Sequence, residues 1–363
     1  MKQLKIVMIG ASLNQNGGIA TLEKLILKHA TPDIEIQHFT SHDEGSIAHR
    51  AIVFGQALGA LLWKLLSRKA DLVHIHMSDG GSVVRKAILA LTTFLFHKPV
   101  LMHANGAEFH VTYSKLPPWA QQWLSVIFRR CHGFIAVTNL WKDYYDANLG
   151  LNAKQVFVLP NPTELPAQAP NRTNSSQVKL VFFGRIGQRK GAFDLIKAFA
   201  NLSAELKKRS ELILAGDGEL EQGRKLVESL NLTEHVTFLG WIDTQQRDTL
   251  LAKADVFVLP SYNEGLPLAL MEAMGWGLPV ITTPVSGIPE IVTSNKNGLL
   301  VPPGNIQQLS EAMQLLIENE TLRLSLGRAA RETVAPLDVK PFLCRLTDIY
   351  RSTLESNQKR GDA

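Results

Sequence analysis

The sequence predicts an α/β protein built from two Rossmann-like domains, and three observations lead to this prediction. The chain has 363 residues, more than a single hydrophobic core usually serves. An apolar strand over residues 4–9 is followed by a small polar loop and a helix over 19–29. The same order recurs with a strand over 179–183 and a helix over 194–206. Strands that alternate with helices form parallel sheets, so we expect one sheet in each half.

The first half continues with further strands. Apolar runs over residues 72–76 and 100–103 predict two strands, which a helix through residues 87–96 connects. The apolar run of that helix is too short to span a bilayer. Residues 133–138 and 155–159 predict two more strands, so the first sheet is expected to have at least five.

The second half repeats this pattern. Strands are predicted over residues 212–215, 236–239, 256–259 and 280–283, because each is a short apolar run that ends in a turn. Between the last two, Pro267 suits the first turn of a helix, where its missing N–H costs nothing. The second sheet is therefore expected to be parallel and buried as well.

Composition marks the boundary between the halves. Residues 161–177 combine three prolines with Asn, Thr and Ser, which is typical of an interdomain linker. We expect an N-terminal domain over 1–165 and a C-terminal domain over 171–335. Apolar residues at helical spacing predict a last helix over about 338–357.

Several classes of protein are disfavoured by composition. An apolar content of 45% and a charged content of 20% describe a soluble globular protein. The two cysteines, Cys131 and Cys344, are far apart, which argues against a disulfide framework and favours a reducing compartment. The chain begins directly with a strand and no signal-peptide pattern, so a cytoplasmic location is expected. We find no arginine-rich tract or zinc-finger spacing, and expect no nucleic-acid partner.

Charge is unevenly distributed along the chain. Residues 1–170 carry 16 Lys and Arg against 11 Asp and Glu, a net charge of +5, whereas residues 171–363 carry 22 of each. This imbalance predicts that the first half meets an anionic partner such as a membrane surface or a lipid phosphate. An excess of this size could equally be a solvated basic face.

Two glutamates flank the predicted helix start at Pro267. Glu264 lies in the loop before it, where free N–H groups and the helix dipole favour an anion by about 0.3–1 kcal/mol. Glu272 lies inside the helix, so the two carboxylates could reach different ends of one ligand. Taken separately, Glu264 could be an ordinary loop carboxylate and Glu272 a solvated helix residue. An acid among apolar helix positions nevertheless needs a partner.

The region around these glutamates resembles a known family. The spacing from Glu264 to Glu272 is similar to the Glu-x7-Glu element of retaining nucleotide-sugar glycosyltransferases of family 4, of the polysaccharide-biosynthesis type. The flanking Glu-Gly-Leu-Pro, Glu-Ala-Met, Gly-Leu-Pro-Val-Ile and Gly-Ile-Pro-Glu pieces match in the same register. The resemblance implies the GT-B fold, in which two Rossmann-like domains face each other across a cleft and the last helix packs back on the first domain.

The resemblance also implies how the donor is bound. The segment 184–191, Gly-Arg-Ile-Gly-Gln-Arg-Lys-Gly, is similar to the family loop that grips the diphosphate of a nucleotide sugar. Arg185 and Lys190 match its basic residues, and Gly184 opens the loop. Each charge-assisted contact would contribute about 1.5–3 kcal/mol. The two cations would replace the metal that other folds use, so no metal and no cofactor are expected.

Further roles follow from the same resemblance. Glu264 would bind hydroxyls of the donor sugar and stabilise positive charge at its ring, and Glu272 would hold the ribose hydroxyls. Gly265 and Leu266 would present the N–H groups at the helix start. Trp241 would lie in the loop near the nucleotide base, although it could equally be a packing residue.

The first domain departs from the family at one position. Gly17 and Gly18 would let its backbone approach the phosphates. In the segment 103–110 the family has a histidine directly before the glycine, whereas this chain has Asn105 there and His103 two residues earlier. Asn105 can donate a hydrogen bond to a sugar hydroxyl but cannot carry a proton. His103 could instead be a satisfied histidine at a strand end.

The resemblance implies a retaining glycosyltransferase. It would move a hexosyl unit from a UDP- or GDP-linked sugar to a glycan or polyprenyl-linked glycan acceptor in cell-surface polysaccharide biosynthesis. A lipid-linked acceptor is expected, and a soluble acceptor stays open. A cytoplasmic protein of this kind would contact the anionic inner face of the plasma membrane peripherally. Two alternatives stay open: a catalytically weak family member that acts as a sugar-nucleotide-binding scaffold, and a sugar-nucleotide epimerase of the same fold.

Overall fold

The chain folds into two compact units, each with its own parallel sheet. The computed structural model describes residues 3–173 and 177–361, with side chains through residue 357. The first unit comprises Met1–Pro162 and Val339–Ala363, and the second comprises Thr163–Asp338.

The first unit is organised around a six-stranded sheet in the order β2-β1-β3-β4-β5-β6, with every pair parallel. Its two central strands are buried along their whole length, because helices cover both faces of such a sheet. The strands are β1 (Leu4–Ala11), β2 (Ile34–His42), β3 (Leu72–Met77), β4 (Val100–Ala104), β5 (Gly133–Ala136) and β6 (Val156–Val158).

Seven helices surround this sheet. The last of them crosses back from the second half of the chain and packs beside the first helix and β4, which confirms the position that the resemblance implied. Within residues 3–173 and 177–361, no helix is both long enough and apolar enough to cross a membrane. The helices are α1 (Gly18–Lys28), α2 (Ile47–Leu66), α3 (Gly81–Leu95), α4 (Phe109–Ser114), α5 (Pro118–Arg130), α6 (Asn139–Leu149) and α14 (Val339–Gly361).

The second unit also has six parallel strands, in the order β12-β11-β10-β7-β8-β9. The strands are β7 (Val178–Phe183), β8 (Ser210–Ala215), β9 (Val236–Gly240), β10 (Val256–Leu259), β11 (Val280–Thr282) and β12 (Leu299–Leu300). The helices are α7 (Ala192–Ala200), α8 (Ala204–Lys208), α9 (Leu220–Ser229), α10 (Thr244–Lys253), α11 (Leu268–Gly275), α12 (Ile306–Glu318) and α13 (Glu320–Val334). Three short 3-10 turns lie at Gln188–Lys190, Ile288–Glu290 and Ala335–Leu337.

The structure differs from the sequence predictions in several elements, of which the following are the clearest. The strand β2 and the helix α2 were not predicted, because β2 is a half-exposed edge strand without a clean apolar run. The single helix expected over 194–206 was wrong: it is two helices, because the side chain of Ser203 accepts from the N–H of Leu206 and starts a new one. The last helix extends further than predicted, to Gly361.

Candidate active site

The loops after β7 and β10 lie side by side, because these strands are neighbours in the second sheet. Ligands of open α/β sheets bind at this carboxyl edge. The N–H of Tyr262 donates to the carbonyl oxygen of Arg189 at 2.9 Å, and the guanidinium of Arg189 donates to the carbonyl oxygen of Asn263 at 3.3 Å. The two loops are therefore fixed to each other before any ligand arrives.

At the centre of this edge Lys190 meets Glu264. The Lys190 Nζ atom lies 2.5 Å from Glu264 Oε1, and the Ser261 hydroxyl donates to the same oxygen at 2.7 Å. The Glu264 side chain is 5% exposed and that of Lys190 17%. A carboxylate held by two donors and almost removed from water keeps a fixed direction, and the ammonium beside it remains accessible to an incoming anion.

The basic loop depends on a glycine at its end. Gly191 has φ of +70°, and a Cβ there would lie 2.0 Å from the carbonyl oxygen of Pro260. Only glycine allows this approach, which sets Lys190 against the loop after β10. Arg185 is exposed at the other end of the loop, after Gly184, and has no ion-pair partner within the part of the chain that the structure describes.

The helix α11 begins directly after the glutamate loop. Gly265 and Leu266 are buried, and Pro267 is the capping residue, whose side chain cannot accept a hydrogen bond from the helix. The N–H groups of Leu268 and Ala269 in the first helical turn are thus available to an anion.

Glu272, inside α11, has the partner that its apolar surroundings require. Arg247 of α10 donates to Glu272 Oε1 at 2.6 Å and also to Asp248 Oδ1 at 2.9 Å. Burial raises the pKa of Glu272 to about 7, while the Arg247 charge opposes this and Asp248 and Glu164 add to it. Burial by itself would lower the pKa of Arg247, but Glu272 and Asp248 raise it overall. The pair holds a carboxyl group that can exchange a proton near neutral pH.

Trp241 follows the end of β9, and its side chain is 49% exposed. A buried packing residue of this size would show far less surface. This exposure leaves part of the indole available for contact with a ligand.

In the first unit, the two predicted glycines line a cavity of about 270 Å³, which we call the glycine-loop cavity. It lies at the ends of β1 and β3, beside the start of α1. Its lining includes Gly10, Gly17, Gly18, His42, Arg85 and Lys86.

His103 and Asn105 lie close together at the end of β4. The side-chain amide of Asn105 donates to the carbonyl oxygen of His103 at 3.1 Å and lies 3.3 Å from His76 Nδ1. Asn105 is half-buried, whereas His103 is fully buried. Burial lowers the pKa of His103 to about 3, so its ring is neutral at physiological pH. A sealed, neutral ring is the environment of a packing histidine rather than of a group that meets a substrate.

His103 belongs to a buried network of three histidines. His74 Nε2 lies 3.3 Å from His103 Nδ1, and His74 Nδ1 lies 2.9 Å from the Tyr350 hydroxyl of α14. Nitrogen atoms of His74, His76 and His103 fall within 4.8 Å of one another, so these residues could ligate a metal. His74 hydrogen-bonds to both His103 and Tyr350, whereas His76 Nε2 and His103 Nε2 are buried without a hydrogen-bond partner among the described residues.

Several residues of these sites were not predicted from the sequence. Arg247 gives no local signal, since it pairs with a glutamate in a different helix, and Ser261 is a single hydroxyl in a loop. The hydroxyl of Tyr262 donates to Asp194 Oδ2 at 2.6 Å and so supports the loop after β10. His74 and His76 carried a detectable signal: residues two apart on a strand share a face.

Two family models match most of the chain. A family model described as "Glycosyl transferases group 1" matches residues 166–333, and one described as "Glycosyltransferase Family 4" matches residues 32–165. The two models follow each other along the chain and together cover residues 32–333, which include the whole second sheet and all strands of the first sheet except β1.

Two relatives align with both halves. The Escherichia coli "UDP-Gal:alpha-D-GlcNAc-diphosphoundecaprenol alpha-1,3-galactosyltransferase" is 26% identical over 307 residues, which cover 80% of this chain and 77% of that protein. The "Phosphatidyl-myo-inositol mannosyltransferase" of Mycobacterium leprae is 24% identical over 359 residues, which cover 92% of this chain and 89% of that protein.

Solved structures confirm the fold. Sucrose-phosphate synthase from Thermosynechococcus elongatus superposes with a TM-score of 0.77 at 20% identity, over 98% of this chain and 100% of that one. Anabaena HepE in complex with UDP-glucose gives 0.76 at 19% identity, over 96% and 100%. With the GT-B fold established and both family models matched, the chain belongs to glycosyltransferase family 4 and is a hexosyltransferase that acts in glycan or glycolipid biosynthesis.

Proposed function

We propose that this protein is a retaining glycosyltransferase that moves a hexosyl unit from a UDP- or GDP-linked sugar to a lipid-linked glycan in cell-surface polysaccharide biosynthesis. The observation that carries the proposal is the Lys190–Glu264 pair at the carboxyl edge of the second sheet. It combines an accessible cation for the leaving diphosphate with an oriented carboxylate for the sugar.

The diphosphate would be bound by Lys190 and Arg185, with the N–H groups at the start of α11 as further donors. Both cations lie on one loop, and Arg185 is exposed with no acid paired to it among the described residues. Because their charges offset the charge that develops on the leaving group, the transfer would need no metal ion and no cofactor.

The rest of the donor would extend along the same edge. Glu264 would accept from hydroxyls of the sugar and stabilise the positive charge at its ring. Glu272, held by Arg247, would accept from the ribose hydroxyls. Gly265 and Leu266 lie between the two glutamates, and the half-exposed Trp241 would contact the base.

The acceptor would bind to the first unit, where Asn105 would donate to a sugar hydroxyl and Gly17 and Gly18 leave room for close approach. A polyprenyl-linked acceptor is supported by the printed name of the Escherichia coli relative and by the net charge of +5 on residues 1–170. Such an acceptor lies at a membrane, so we place the protein in the cytoplasm, at the inner face of the plasma membrane.

One helix of the first unit offers a surface for such peripheral contact. On α5, Trp119, Trp123 and Val126 are 73%, 46% and 44% exposed, and they follow one another at helical spacing. Arg129 and Arg130 are also exposed in the last turn of this helix. Indole rings beside basic side chains suit the interface of an anionic bilayer.

Calorimetric titration with UDP, GDP and ADP tests the donor site. The unmodified protein should bind one nucleotide, and Lys190→Ala should weaken that binding about 10- to 100-fold, because a charge-assisted contact contributes about 1.5–3 kcal/mol. Lys197→Ala, which removes an exposed lysine from α7, is the matched control and should bind as the unmodified protein does.

Equal affinity of Lys190→Ala and the control would overturn the donor assignment. If one nucleotide binds as expected, product analysis with its hexose-linked form separates the remaining alternatives. Transfer to a lipid-linked glycan supports the proposal, conversion of the donor alone indicates an epimerase, and binding without turnover indicates a scaffold.

A further inference from the structure

Three histidines meet inside the first unit, from two neighbouring strands. His74 and His76 are two residues apart on β3, so their side chains share one face of the sheet, and the register pairs His76 with His103 of β4. All three are at most 1% exposed. One ring nitrogen from each lies within 4.8 Å of the other two. The sheet thus brings three imidazoles, the commonest metal ligands in proteins, to one buried point.

The spacing of these nitrogens suits a tetrahedral ion. His74 Nε2 lies 3.3 Å from His103 Nδ1. Two nitrogens that bind Zn²⁺ at about 2.0–2.1 Å, with a tetrahedral angle between the two bonds, are also about 3.3 Å apart. Because no pair of the three nitrogens is more than 4.8 Å apart, the largest separation would have to shrink by about 1.5 Å.

Hydrogen bonds within the protein leave two nitrogens of this cluster unused. Nε2 of His76 and Nε2 of His103 are buried and have no hydrogen-bond partner among the described residues. Buried polar atoms in proteins almost always have a partner, because leaving them without one is costly. Each of these two rings therefore has a nitrogen that can bind an ion without giving up a protein contact.

The groups behind the rings also suit a metal. A histidine that binds a metal through one nitrogen usually donates the N–H of the other to an oxygen, which fixes the ring. For His74 this oxygen is the Tyr350 hydroxyl of α14, 2.9 Å from Nδ1. For His76 it is Oε1 of the buried Glu23, 3.9 Å from Nδ1, a distance that must close by about 1 Å for a hydrogen bond. The Glu23 carboxylate would also offset part of the charge of the ion.

Two neighbours act against a cation at this point. The positive charge of Lys86 acts on His76, although the charge of Glu23 acts on Lys86 in return. The amide nitrogen of Asn105 lies 3.3 Å from His76 Nδ1, and this contact would open when Nδ1 carries the ring proton. The ammonium group of Lys86 donates to the Ser41 hydroxyl rather than to a histidine. These neighbours therefore weaken the site without occupying it.

We propose that His74, His76 and His103 form a structural metal site of the first unit, which binds a divalent transition-metal ion, best Zn²⁺. Nitrogen ligands suit Zn²⁺, Cu²⁺ and Ni²⁺ and disfavour Mg²⁺ and Ca²⁺, which bind oxygen, and the tetrahedral spacing favours Zn²⁺. The ion would join β3 to β4 and, through Tyr350, to α14. It would stabilise this unit rather than take part in glycosyl transfer, because the rings are buried. The proposal does not depend on the proposed transferase function.

Titration of the chelator-treated, full-length protein with Co²⁺ tests the site. Co²⁺ takes the same ligands as Zn²⁺, and its visible absorption distinguishes four-coordinate from six-coordinate binding. The unmodified protein should bind one Co²⁺ per chain with a four-coordinate spectrum, and Zn²⁺ should displace it. A buried site exchanges its ion only when the unit opens locally, so a chelator should remove this ion slowly, whereas ions on surface histidines should leave at once.

Three variants locate the site. His76→Gln removes one ligand and should abolish the four-coordinate spectrum. Tyr350→Phe removes only the hydroxyl behind His74 and should weaken Zn²⁺ binding by about 10- to 100-fold, which guards against an effect of His76→Gln on folding. His49→Gln replaces an exposed histidine of α2 outside the cluster. It is the matched control and should bind the ion as the unmodified protein does.

The proposal is overturned if the unmodified protein gives no four-coordinate spectrum, or if His76→Gln and Tyr350→Phe both bind the ion as His49→Gln does. Six-coordinate Co²⁺ that a chelator removes at once from every variant would indicate surface binding only, and would overturn it equally. A failed nucleotide titration would leave these outcomes unchanged. Protonation of the three rings must be measured on chelator-treated protein, because the ion and protons compete for the same nitrogens.

Discussion

Both sheets carry polar side chains toward the carboxyl ends of their central strands, but in contrasting surroundings. In the first unit His74, His76 and His103 are at most 1% exposed and contact one another. In the second unit Lys190 pairs with Glu264 and keeps 17% of its side chain exposed. An imidazole can be buried because it can be neutral, whereas a buried ion pair bears a desolvation cost that accessible solvent reduces.

This difference in exposure indicates which polar groups stabilise the fold and which can contact a ligand. In the first unit the strand-end histidines stabilise the fold, with Tyr350 of α14 closing one side of the network. In the second unit the strand-end residues lie on loops, where a ligand can replace a protein contact. The two units also differ in how their stability depends on pH. The pKa of the buried His103 is lowered and that of the buried Glu272 is raised, so their contributions to stability change with pH in opposite directions.

The largest effect is expected in the first unit in acid. Burial places the pKa of His103 at about 3 and lowers the pKa values of His74 and His76 well below 6.5, with neighbouring histidines adding to the decrease. The unfolded chain therefore binds protons that the folded unit does not. The contribution of His103 is complete above pH 6.5 and is lost at about 1.4 kcal/mol per pH unit as the pH falls toward 3, and His74 and His76 act in the same direction.

Hydrogen exchange at pH 7 and pH 4.5 measures this loss. At pH 4.5 His103 alone should cost about 3 kcal/mol, and His74 and His76 add to this loss, so β3 and β4 should lose protection before β7 and β8 do. The second unit serves as an internal control, since it shares the sample and has no buried histidine among its described residues. Unchanged protection of β3 at pH 4.5, after correction for intrinsic exchange, would contradict the prediction.

A smaller effect of opposite sign is expected at Glu272. Burial raises the pKa of Glu272 to about 7, from an ordinary value of about 4.5. Between these values the folded unit holds a proton that the unfolded chain has released. The stabilising contribution is therefore present below pH 4.5 and is lost as the pH rises through 7, in total about 3 kcal/mol.

Glu272→Gln keeps the shape of the side chain and removes the titration. Exchange of α11 amides should show less protection at pH 8 than at pH 5 in the unmodified protein, and this difference should disappear in the variant. A difference that persists in Glu272→Gln would assign the pH dependence to another group and leave the Arg247 pair as a fixed ion pair.

The sequence predicted those elements and residues that a pattern of neighbouring residues identifies. Apolar runs located ten of the twelve strands, and the Glu-x7-Glu spacing placed Glu264 and Glu272 on one loop and helix. The edge strands β2 and β12 were not predicted, because the first is half-exposed and the second has only two residues. Contacts between distant residues, such as Arg247 with Glu272, depend on which helices become neighbours, and no short pattern encodes that.

The histidine network illustrates the same limit. His74 and His76 share one face of β3, and the register opposes His76 to His103 of β4. That pairing requires β3 and β4 to be neighbours in the sheet. The positions of the strands in the sequence do not determine which strands become neighbours. The place of His103 at a strand end therefore suggests catalysis, whereas its burial favours a structural role.

The smallest expected effect concerns Asn105, which is half-buried and lies next to the fully buried histidines. Its amide nitrogen joins the buried network through His103 and His76, while the side chain is half-buried and its Oδ1 atom has no partner among the described residues. Asn105→Ala removes a neutral hydrogen bond worth about 1 kcal/mol, so we expect glycosyl transfer to fall about fivefold.

Comparing transfer rate with thermal stability separates the two roles of Asn105. If the amide only supports the network, Asn105→Ala will lower the melting temperature and leave the transfer rate per folded molecule unchanged. If it also contacts the acceptor, the rate will fall in addition. Asn105→His introduces the residue that the family has at this position, and it should retain transfer in the second case because imidazole can donate the same hydrogen bond.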